Sequence, residues 1–292
     1  MARKQTYRIR YTNKLAEAGG EPVRAERKER IPIDPLIQQP YADGKVLLIN
    51  KPLHWTSFDV VRKLRSLLQI KKIGHAGTLD PLATGLLIVC TGKFTKKINE
   101  YMAQEKEYTG SITLGAVTPT YDLESEPEQQ KDFSFVTNEM LQAATGKFVG
   151  EVDQYPPMFS AIKKDGVALY ELARRGEEVE LKARKIFIRS FGITSVELPV
   201  VHFKVVCSTG TYVRSLANDF GRELKCGAYL SSLCRTRIGE FTLQDSINMD
   251  AFEQTLKPLN LSTFLKGIIY PDRHVEIFIA PFPVLVITSP GE

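Results

Sequence analysis

One loop of the sequence combines residue types that could carry out catalysis. Residues 72–85 hold one carboxylate, Asp80, and one imidazole, His75, among three glycines and one proline. Glycine permits positive φ angles and proline fixes φ, so this composition predicts irregular backbone. An acid on such backbone, directly before the apolar run at residues 86–90, is well placed to act as a nucleophile. An Asp-Pro turn that merely precedes a strand is the simpler alternative, and the loop alone does not separate the two.

A second stretch with chemical potential lies at residues 207–216, where a predicted strand gives way to a predicted helix. Gly210 permits a tight turn between the two elements. Tyr212 and Arg214 then fall within the first turn of the helix, which we expect to run from about residue 211 to residue 220. Side chains at such a junction can converge on a cleft that the rest of the fold holds rigid.

Taken together, the candidate residues are one carboxylate, one imidazole, one guanidinium and two phenols, namely Asp80, His75, Arg214, Tyr108 and Tyr212. A guanidinium beside the carboxylate would hold it charged and oriented, and aromatic faces can stack a base. This set suits a pocket that binds a nucleotide flipped out of RNA. The sequence shows no second acid of a glycosidase pair, no Gly-x-Ser-x-Gly elbow, and no Walker or Rossmann glycine pattern.

Composition predicts a soluble globular protein, with 292 residues of which 43% are hydrophobic and 25% charged. No apolar stretch approaches the length of a membrane span, and the N-terminus lacks the apolar region of a signal peptide, so we expect a cytoplasmic location. The four cysteines form no Cys-x-x-Cys pair and no Cys/His ligand spacing. We therefore expect buried free thiols and no zinc site.

Positive charge is concentrated at the N-terminus. Residues 1–30 contain nine basic and four acidic residues, a net charge of +5 that equals the net charge of the whole chain. Residues 1–42 show little periodicity and several Gly and Pro residues, which predicts a flexible, extended arm. A basic arm on a neutral body suggests contact with phosphate, and a tail that only aids solubility is the alternative.

The remaining chain predicts an α+β fold, with a mixed, mostly antiparallel central sheet and flanking helices, because strands and helices alternate without a regular βα pattern. Thr56 and Asp59 form a capping box, and the helix that follows has Phe58 on its predicted apolar face. A further helix is expected at residues 228–233, followed by a strand at residues 237–243.

The run GHAGTLDPLATG, residues 74–85, resembles the signature of the TruB family of tRNA pseudouridine-55 synthases of the bacterial type. Three further segments resemble the same family in the same order. They are NKP with WTS in residues 50–57, KEY at residues 106–108, and CSTGTYVR at residues 207–214. Four motifs in family order, within residues 45 to 245, make the resemblance specific.

The resemblance implies the pseudouridine synthase fold and an isomerase. Such an enzyme flips a uridine out of the T-loop of tRNA at position 55, breaks its N-glycosidic bond, turns the base, and rejoins it through carbon 5. The family uses no cofactor and no metal. By the same resemblance, residues 43–247 form the catalytic domain. Residues 248–292 are a short C-terminal segment, at most a reduced form of the PUA-type RNA-binding module that the family usually carries.

The resemblance also implies roles for single residues. Asp80 corresponds to the essential carboxylate, and the sequence leaves open whether it attacks the sugar, attacks the base or leads to a glycal. Tyr108 corresponds to the tyrosine that stacks on the target uracil and serves later proton transfer at carbon 5. Arg214 corresponds to the arginine that pairs with the carboxylate.

Three further residues are implied to bind the RNA. His75 corresponds to the histidine that fills the space vacated by the flipped nucleotide, and Tyr212 and Leu233 correspond to pocket-lining positions. The implied partner is the T-stem-loop of tRNA, with no membrane, no obligatory protein partner and a monomeric chain. The alternatives are a synthase that acts on another RNA, such as a guide-RNA-dependent one, and a tRNA-folding chaperone with secondary catalysis.

The basic arm is more than the family core requires, and we hypothesise that it supplies phosphate contacts that a smaller C-terminal module lacks. Deletion of residues 2–30 is then expected to weaken tRNA affinity and to flatten its dependence on salt, because fewer phosphate contacts release fewer counterions on binding. Filter binding at several salt concentrations measures this slope. An unchanged slope would contradict the hypothesis.

Overall fold

The computed structural model describes residues 32–160, 162–164, 166–177, 179, 181–256, 277–278 and 284–285. The basic arm predicted at residues 1–30 therefore lies outside the described residues. The described residues fall into two compact units, one ending at Phe252 and the other beginning at Glu253.

Fourteen strands occur in the described residues: β1 Val46–Lys51, β2 Ile73–His75, β3 Ala83–Thr91, β4 Lys106–Leu114, β5 Gly150–Gln154, β6 Lys163–Lys164, β7 Val167–Ala168, β8 Arg184–Glu197, β9 Val200–Cys207, β10 Ala228–Ile238, β11 Phe241–Thr242, β12 Ile247–Asn248, β13 Ile277–Phe278 and β14 Val284–Leu285. The α-helices of the same residues are α1 Pro35–Asp43, α2 Ser57–Leu68, α3 Ile98–Ala103, α4 Asn138–Gly146, α5 Leu169–Arg174, α6 Val213–Glu223 and α7 Met249–Thr255. Two 3-10 helices span Gly92–Lys97 and Leu243–Asp245.

One large sheet organises the first unit. Its strand order is β12-β1-β3-β10-β4-β9-β8-β5, with β2 paired to β3 and β11 paired to β10. Strand β1 runs parallel to β12 and β3 runs parallel to β10, whereas the other pairs are antiparallel. The sheet is therefore mixed and mostly antiparallel, as the sequence predicts. Strands β6 and β7 pair separately, and β13 pairs with β14 within the second unit.

The main core lies on the face of the sheet that α4 and α6 cover. Strand β9 alternates as its sequence predicts, with Val201, Phe203 and Val205 buried. Phe191 packs edge-on against Phe203 and against Phe220 of α6, with ring centroids 5.8 and 5.5 Å apart. Edge-to-face aromatic pairs add to the stability that apolar burial supplies. This core fixes α6 on the sheet.

Helix α2 begins at the predicted capping box. The Thr56 hydroxyl accepts a hydrogen bond from the Asp59 N–H, and the Asp59 carboxylate accepts one from the Thr56 N–H. The expectation for Phe58 is wrong, because its side chain is 58% exposed. It lies about 100° around the helix from its neighbour in sequence and misses the buried stripe. The buried side chains are Ser57, Val60, Val61, Leu64 and Leu68.

The end of the predicted flexible arm is helical. Asp34 caps α1 by accepting a hydrogen bond from the Leu36 N–H at 2.8 Å, and a proline follows at the first helical position, where its missing N–H costs nothing. The Gln38 amide donates to the carbonyls of Leu68 and Gln69 at 3.2 and 3.0 Å. Helix α1 is therefore attached to the end of α2, and the expectation of extended chain up to residue 42 is wrong for residues 35–42.

The helix expected at residues 228–233 is wrong. Those residues begin β10, which pairs with β4 along its length and with β3 from Leu233 onward. A segment of six residues with mixed polarity is too short to distinguish the period of a helix from that of a strand. In the structure, pairing with two neighbouring strands makes it a strand. The strand expected at residues 237–243 is interrupted by a turn at Gly239, where φ is +54°. Strand β10 carries Leu233 and Arg235 into the centre of the sheet.

Candidate active site

The main chain is fixed on both sides of Asp80, within a segment that we name the Asp80 loop (residues 76–82). Before it, the Leu79 N–H donates to the buried Ser57 hydroxyl at 2.8 Å, and that hydroxyl donates back to the Leu79 carbonyl at 3.2 Å. After it, the Pro81 carbonyl accepts a hydrogen bond from the His54 N–H at 2.8 Å. These bonds give irregular backbone the rigidity that a catalytic carboxylate requires.

The buried side chain of Lys51 also holds the Asp80 loop in place. Its side chain is 0% exposed, and its ammonium donates to the carbonyls of Pro52, Trp55 and Pro81. Burial lowers the pKa of Lys51 to about 8, and the nearby Asp80 carboxylate opposes that shift. Three carbonyls thus converge on one buried cation beside the carboxylate.

Asp80 and Arg214 form a two-point ion pair. Arg214 Nε lies 2.9 Å from Asp80 Oδ2, and Nη2 donates to Asp80 Oδ1 at 3.2 Å. The arginine side chain is 5% exposed, whereas the aspartate side chain is 38% exposed. The planar guanidinium therefore orients the carboxylate and leaves part of it open to solvent. The structure thus brings together the two residues that the resemblance implies as a pair.

A second carboxylate, Asp122, lies on the same guanidinium, with its Oδ2 3.6 Å from Arg214 Nε. Burial raises the pKa of Asp122, while a hydrogen bond from Thr120 and the charge of Arg214 oppose that rise. Nη1 of Arg214 donates to the Thr120 carbonyl at 3.3 Å, and Nη2 also donates to the Phe159 carbonyl at 3.0 Å. The acidic, polar composition of residues 121–130 is typical of a surface loop and gives no sign that Asp122 is buried.

Tyr108 lies in β4, next to β10, and its side chain is buried. Its partner across the two strands is Arg235. Burial raises the pKa of the phenol, and the charge of Arg235 opposes that shift. The negative charge of Asp80 adds to the rise of this pKa.

Tyr212 and Leu233 are brought to the same region by α6 and β10. The Tyr212 N–H donates to Gln154 Oε1 at 2.8 Å, and Gln154 Nε2 donates back to the Tyr212 carbonyl at 3.0 Å. These bonds fix the start of the helix that carries the arginine. Leu233 lines a small pocket together with Asp80 and Asp122.

His75 lies on β2, five residues before Asp80, and its side chain is half-buried. Burial lowers its pKa, and the positive charge of Arg235 lowers it further. The imidazole is therefore mainly neutral near pH 7 and would meet RNA as a flat, uncharged ring. It stands at the start of the Asp80 loop rather than beside the carboxylate.

Comparison with protein families decides the class of enzyme. Residues 65–213 match the TruB family pseudouridylate synthase N-terminal domain. Residues 214–272 match the tRNA pseudouridylate synthase B C-terminal domain. The chain belongs to the TruB family. The match to the N-terminal domain contains Asp80 and Tyr108, and the match to the C-terminal domain begins at Arg214.

Individual TruB relatives match over nearly their whole length. The tRNA pseudouridine synthase B of Flavobacterium johnsoniae is 53% identical over 224 residues, which cover 74% of this chain and 98% of the relative. The tRNA pseudouridine synthase B of Phocaeicola vulgatus is 47% identical over 222 residues, which cover 74% of this chain and 94% of the relative. The likeness therefore extends far beyond the motifs.

A solved structure supports the pseudouridine synthase fold. The crystal structure of a Cbf5-Nop10-Gar1 complex contains a chain that matches with a TM-score of 0.59 at 27% sequence identity. The match covers 80% of this chain and 61% of that chain. The assembly with Nop10 and Gar1 is a property of that protein.

The four cysteines of this TruB chain are free. Cys90, Cys207 and Cys226 are buried and free, as predicted, and Cys234 is free and half-buried. Among the described residues, no group of three or more His, Cys, Asp or Glu side chains could hold a metal ion. Within the same part of the chain, no helix combines the length and apolar content needed to cross a membrane.

A second buried lysine, Lys106, lies two residues before Tyr108 and gives a test of stability against pH. Its ammonium donates to the carbonyls of Met102 and Gln104, and burial lowers its pKa from 10.5 to about 8. Between these two values the unfolded chain binds more protons than the folded chain, so stability rises with pH. We expect Lys106→Met to lose this rise, which amounts to about 2 kcal/mol between pH 7.5 and 9.5.

Urea unfolding of wild type and Lys106→Met at both pH values measures the effect. The exposed Lys96 provides the control, because Lys96→Met is expected to keep the pH dependence of the wild type. Equal pH dependence in wild type and Lys106→Met would show that the ammonium keeps an ordinary pKa in the folded protein.

Proposed function

We propose that this TruB-family protein isomerises uridine 55, in the T-loop of tRNA, to pseudouridine. The observation that carries the proposal is the two-point pair of Asp80 with the buried Arg214, which leaves the carboxylate partly open beside a buried tyrosine. The 53% identical relative named tRNA pseudouridine synthase B supports tRNA as the substrate. Uridine 55 follows from the resemblance of the motifs.

The reaction exchanges one bond for another. The bond between C1′ of the ribose and N1 of uracil breaks, and a bond between C1′ and C5 forms. The hydrogen on C5 leaves as a proton, and N1 takes up a proton, so substrate and product are isomers. We assign Asp80 as the carboxylate that assists cleavage and rejoining, since Arg214 orients it and it lines the same pocket as Leu233.

Other residues of the site are proposed to bind the flipped nucleotide. Tyr108 stacks on the uracil and takes part in proton transfer at C5, and Leu233 and Tyr212 line the pocket. His75, which is mainly neutral near pH 7, fills the gap that the flipped base leaves in the RNA. A neutral ring can occupy a stack of bases without the cost of burying a charge.

We further propose that the chain acts as a monomer in the cytoplasm, without an obligatory protein partner. Asp80, Tyr108 and Arg214 all belong to the first compact unit of a single chain, which supports this. The proposed organisation places a basic N-terminal segment before a catalytic domain over residues 43–247.

Tritium release from tRNA with 5-tritiated uridine tests the function, because formation of the C1′–C5 bond must expel that hydrogen. The purified chain alone is expected to release about one tritium per tRNA when only uridine 55 is labelled, and to act on an isolated T-stem-loop. A substrate with cytidine at position 55 is the control. If the folded wild type binds tRNA and releases no tritium, the proposed function is wrong.

A further inference from the structure

Arg235 is a fully buried cation at the centre of the sheet that the reaction does not yet use. Its side chain is 1% exposed. Nε donates to the Leu86 carbonyl at 2.8 Å, and Nη2 donates to the Gly77 carbonyl at 3.1 Å. Both hydrogen bonds go to main-chain carbonyls rather than to a carboxylate. Burial of a guanidinium costs several kcal/mol, so a cation held in this way calls for a functional reason.

The position of Arg235 on β10 relates Tyr108 on β4 to the Asp80 loop. In the β10–β4 pair, Arg235 is the partner of Tyr108, and partners across two strands place their side chains on the same face of a sheet. On its other side, the guanidinium holds the Asp80 loop through the Gly77 carbonyl. A Cβ atom added at Gly77 would lie 3.5 Å from Arg235 Nη1, so loop and guanidinium are in close contact.

The chemistry of arginine determines which group donates in a hydrogen bond between Arg235 and Tyr108. A guanidinium has donors and no acceptor, so a hydrogen bond to the Tyr108 oxygen must be donated by Arg235. The phenol then has to direct its own hydrogen elsewhere. The positive charge also favours the phenolate and opposes the effect of burial on the Tyr108 pKa. Arg235 thus influences both the orientation of the phenol and its ability to accept a proton.

We propose that Arg235 is a positioning residue for the proton transfer at carbon 5 of the uracil, acting through Tyr108. The inference rests on the proposed function. After the C1′–C5 bond has formed, the C5–H bond breaks and its electron pair forms the C5=C6 double bond. The Tyr108 oxygen, positioned by Arg235, takes this proton as its own hydroxyl proton passes to water, so that the phenol is regenerated, while N1 takes a proton from water. Arg235 holds the Asp80 loop through the Gly77 carbonyl and acts on the substrate only through Tyr108.

The test compares tRNA carrying hydrogen or deuterium at carbon 5 of uridine 55, in single turnover, with wild type and Arg235→Gln. We expect the variant to be slower by roughly 10²-fold, the range of general acid–base catalysis, with tRNA affinity unchanged. We also expect its deuterium isotope effect to exceed that of the wild type, because proton transfer becomes the slow step. If the substitution only loosened the fold, it would slow glycosidic cleavage as much as proton transfer. The isotope effect would then stay at the wild-type value.

Three further variants complete the design. Arg235→Lys keeps the charge but loses the planar fork, and is expected to fall between wild type and Arg235→Gln in both rate and isotope effect. In a Tyr108→Phe background, Arg235→Gln is expected to add little further loss, because its effect passes through the phenol. Arg237→Gln is the matched control, since Arg237 is two residues along β10 and bonds to Glu105 and Gly239 instead.

The outcomes separate the two proposals. A wild type that makes no pseudouridine refutes the proposed function. An active wild type with an unchanged isotope effect in the Arg235 variants refutes the positioning role alone, as does a full further loss in the Tyr108→Phe background. Failure of both Arg235 variants to fold assigns the residue to structure and overturns the inference.

Discussion

Asp80→Asn is expected to eliminate measurable tritium release, a loss of at least about 10³-fold, while tRNA affinity stays close to that of the wild type. The amide has nearly the shape of the carboxylate but has no negative charge and only one acceptor oxygen. It therefore loses one of the two contacts with Arg214 and cannot act as a charged group toward the sugar or the base. RNA affinity depends mainly on phosphate contacts spread over a wider surface.

Single-turnover tritium release and filter binding with the same tRNA measure the two quantities separately. Asp245→Asn is the matched control, because Asp245 is an aspartate outside the site that caps the 3-10 helix at residues 243–245. It is expected to keep wild-type activity. Asp80→Asn with near wild-type release would remove Asp80 from the chemistry, and parallel loss of affinity and release would mean that its role lies in binding.

The parts of the site that the sequence reveals are those encoded by local constraints. The glycines and the proline around Asp80 predict irregular backbone, and the loop is held irregular at both ends by hydrogen bonds. The capping box at Thr56 predicts where α2 begins, and the next residue, Ser57, is the one that fixes Leu79. Local chemistry of this kind acts over a few residues and can therefore be read without the fold.

The parts that the sequence does not reveal depend on contacts between distant segments. Asp122 lies in an acidic stretch with nothing to distinguish it from Glu124 or Glu126, and only the approach of Arg214 gives it a role. Arg235 lies between the helix expected at residues 228–233 and the strand expected at residues 237–243, so the sequence does not indicate its face. Had β10 been recognised, the spacing of two from Leu233 would have predicted that both residues share a face.

Lys51 shows an intermediate case. It ends an apolar strand and stands in a motif that resembles the family, so its importance is visible in the sequence, but its burial is not. A lysine at a strand end is usually solvated. Here three carbonyls of the chain around the Asp80 loop take its three N–H groups, which requires the loop to be folded back over the strand.

By the same reasoning, we expect both the structure and the proposed reaction to depend on Arg214. Its guanidinium contacts Asp80, Asp122 and two carbonyls, and its side chain is almost fully buried. We expect Arg214→Gln to lower the single-turnover rate by at least about 10³-fold, because the carboxylate loses its orientation. We also expect it to destabilise the protein by about 3–5 kcal/mol, the cost of leaving a buried charge unpaired.

A second substitution identifies which carboxylate causes the loss of stability. Asp122→Asn in the Arg214→Gln background removes the unpaired buried charge, so it is expected to restore most of the stability and none of the activity. Urea unfolding and single-turnover rates of the single and double variants measure the two effects. A double variant no more stable than Arg214→Gln would show that lost packing, rather than the charge of Asp122, is responsible.

The pH dependence of stability provides an independent test of the buried charge on Asp122. Burial already raises the folded-state pKa of Asp122, and the removal of Arg214 removes a group that opposes the rise. In Arg214→Gln the folded chain therefore binds a proton that the unfolded chain releases, so stability decreases as pH rises through the pKa of the unfolded aspartate toward the folded value. The stability that Arg214→Gln loses relative to the wild type should be smaller near pH 5 than at pH 7. This dependence of the loss on pH should disappear when Asp122 is also replaced by Asn.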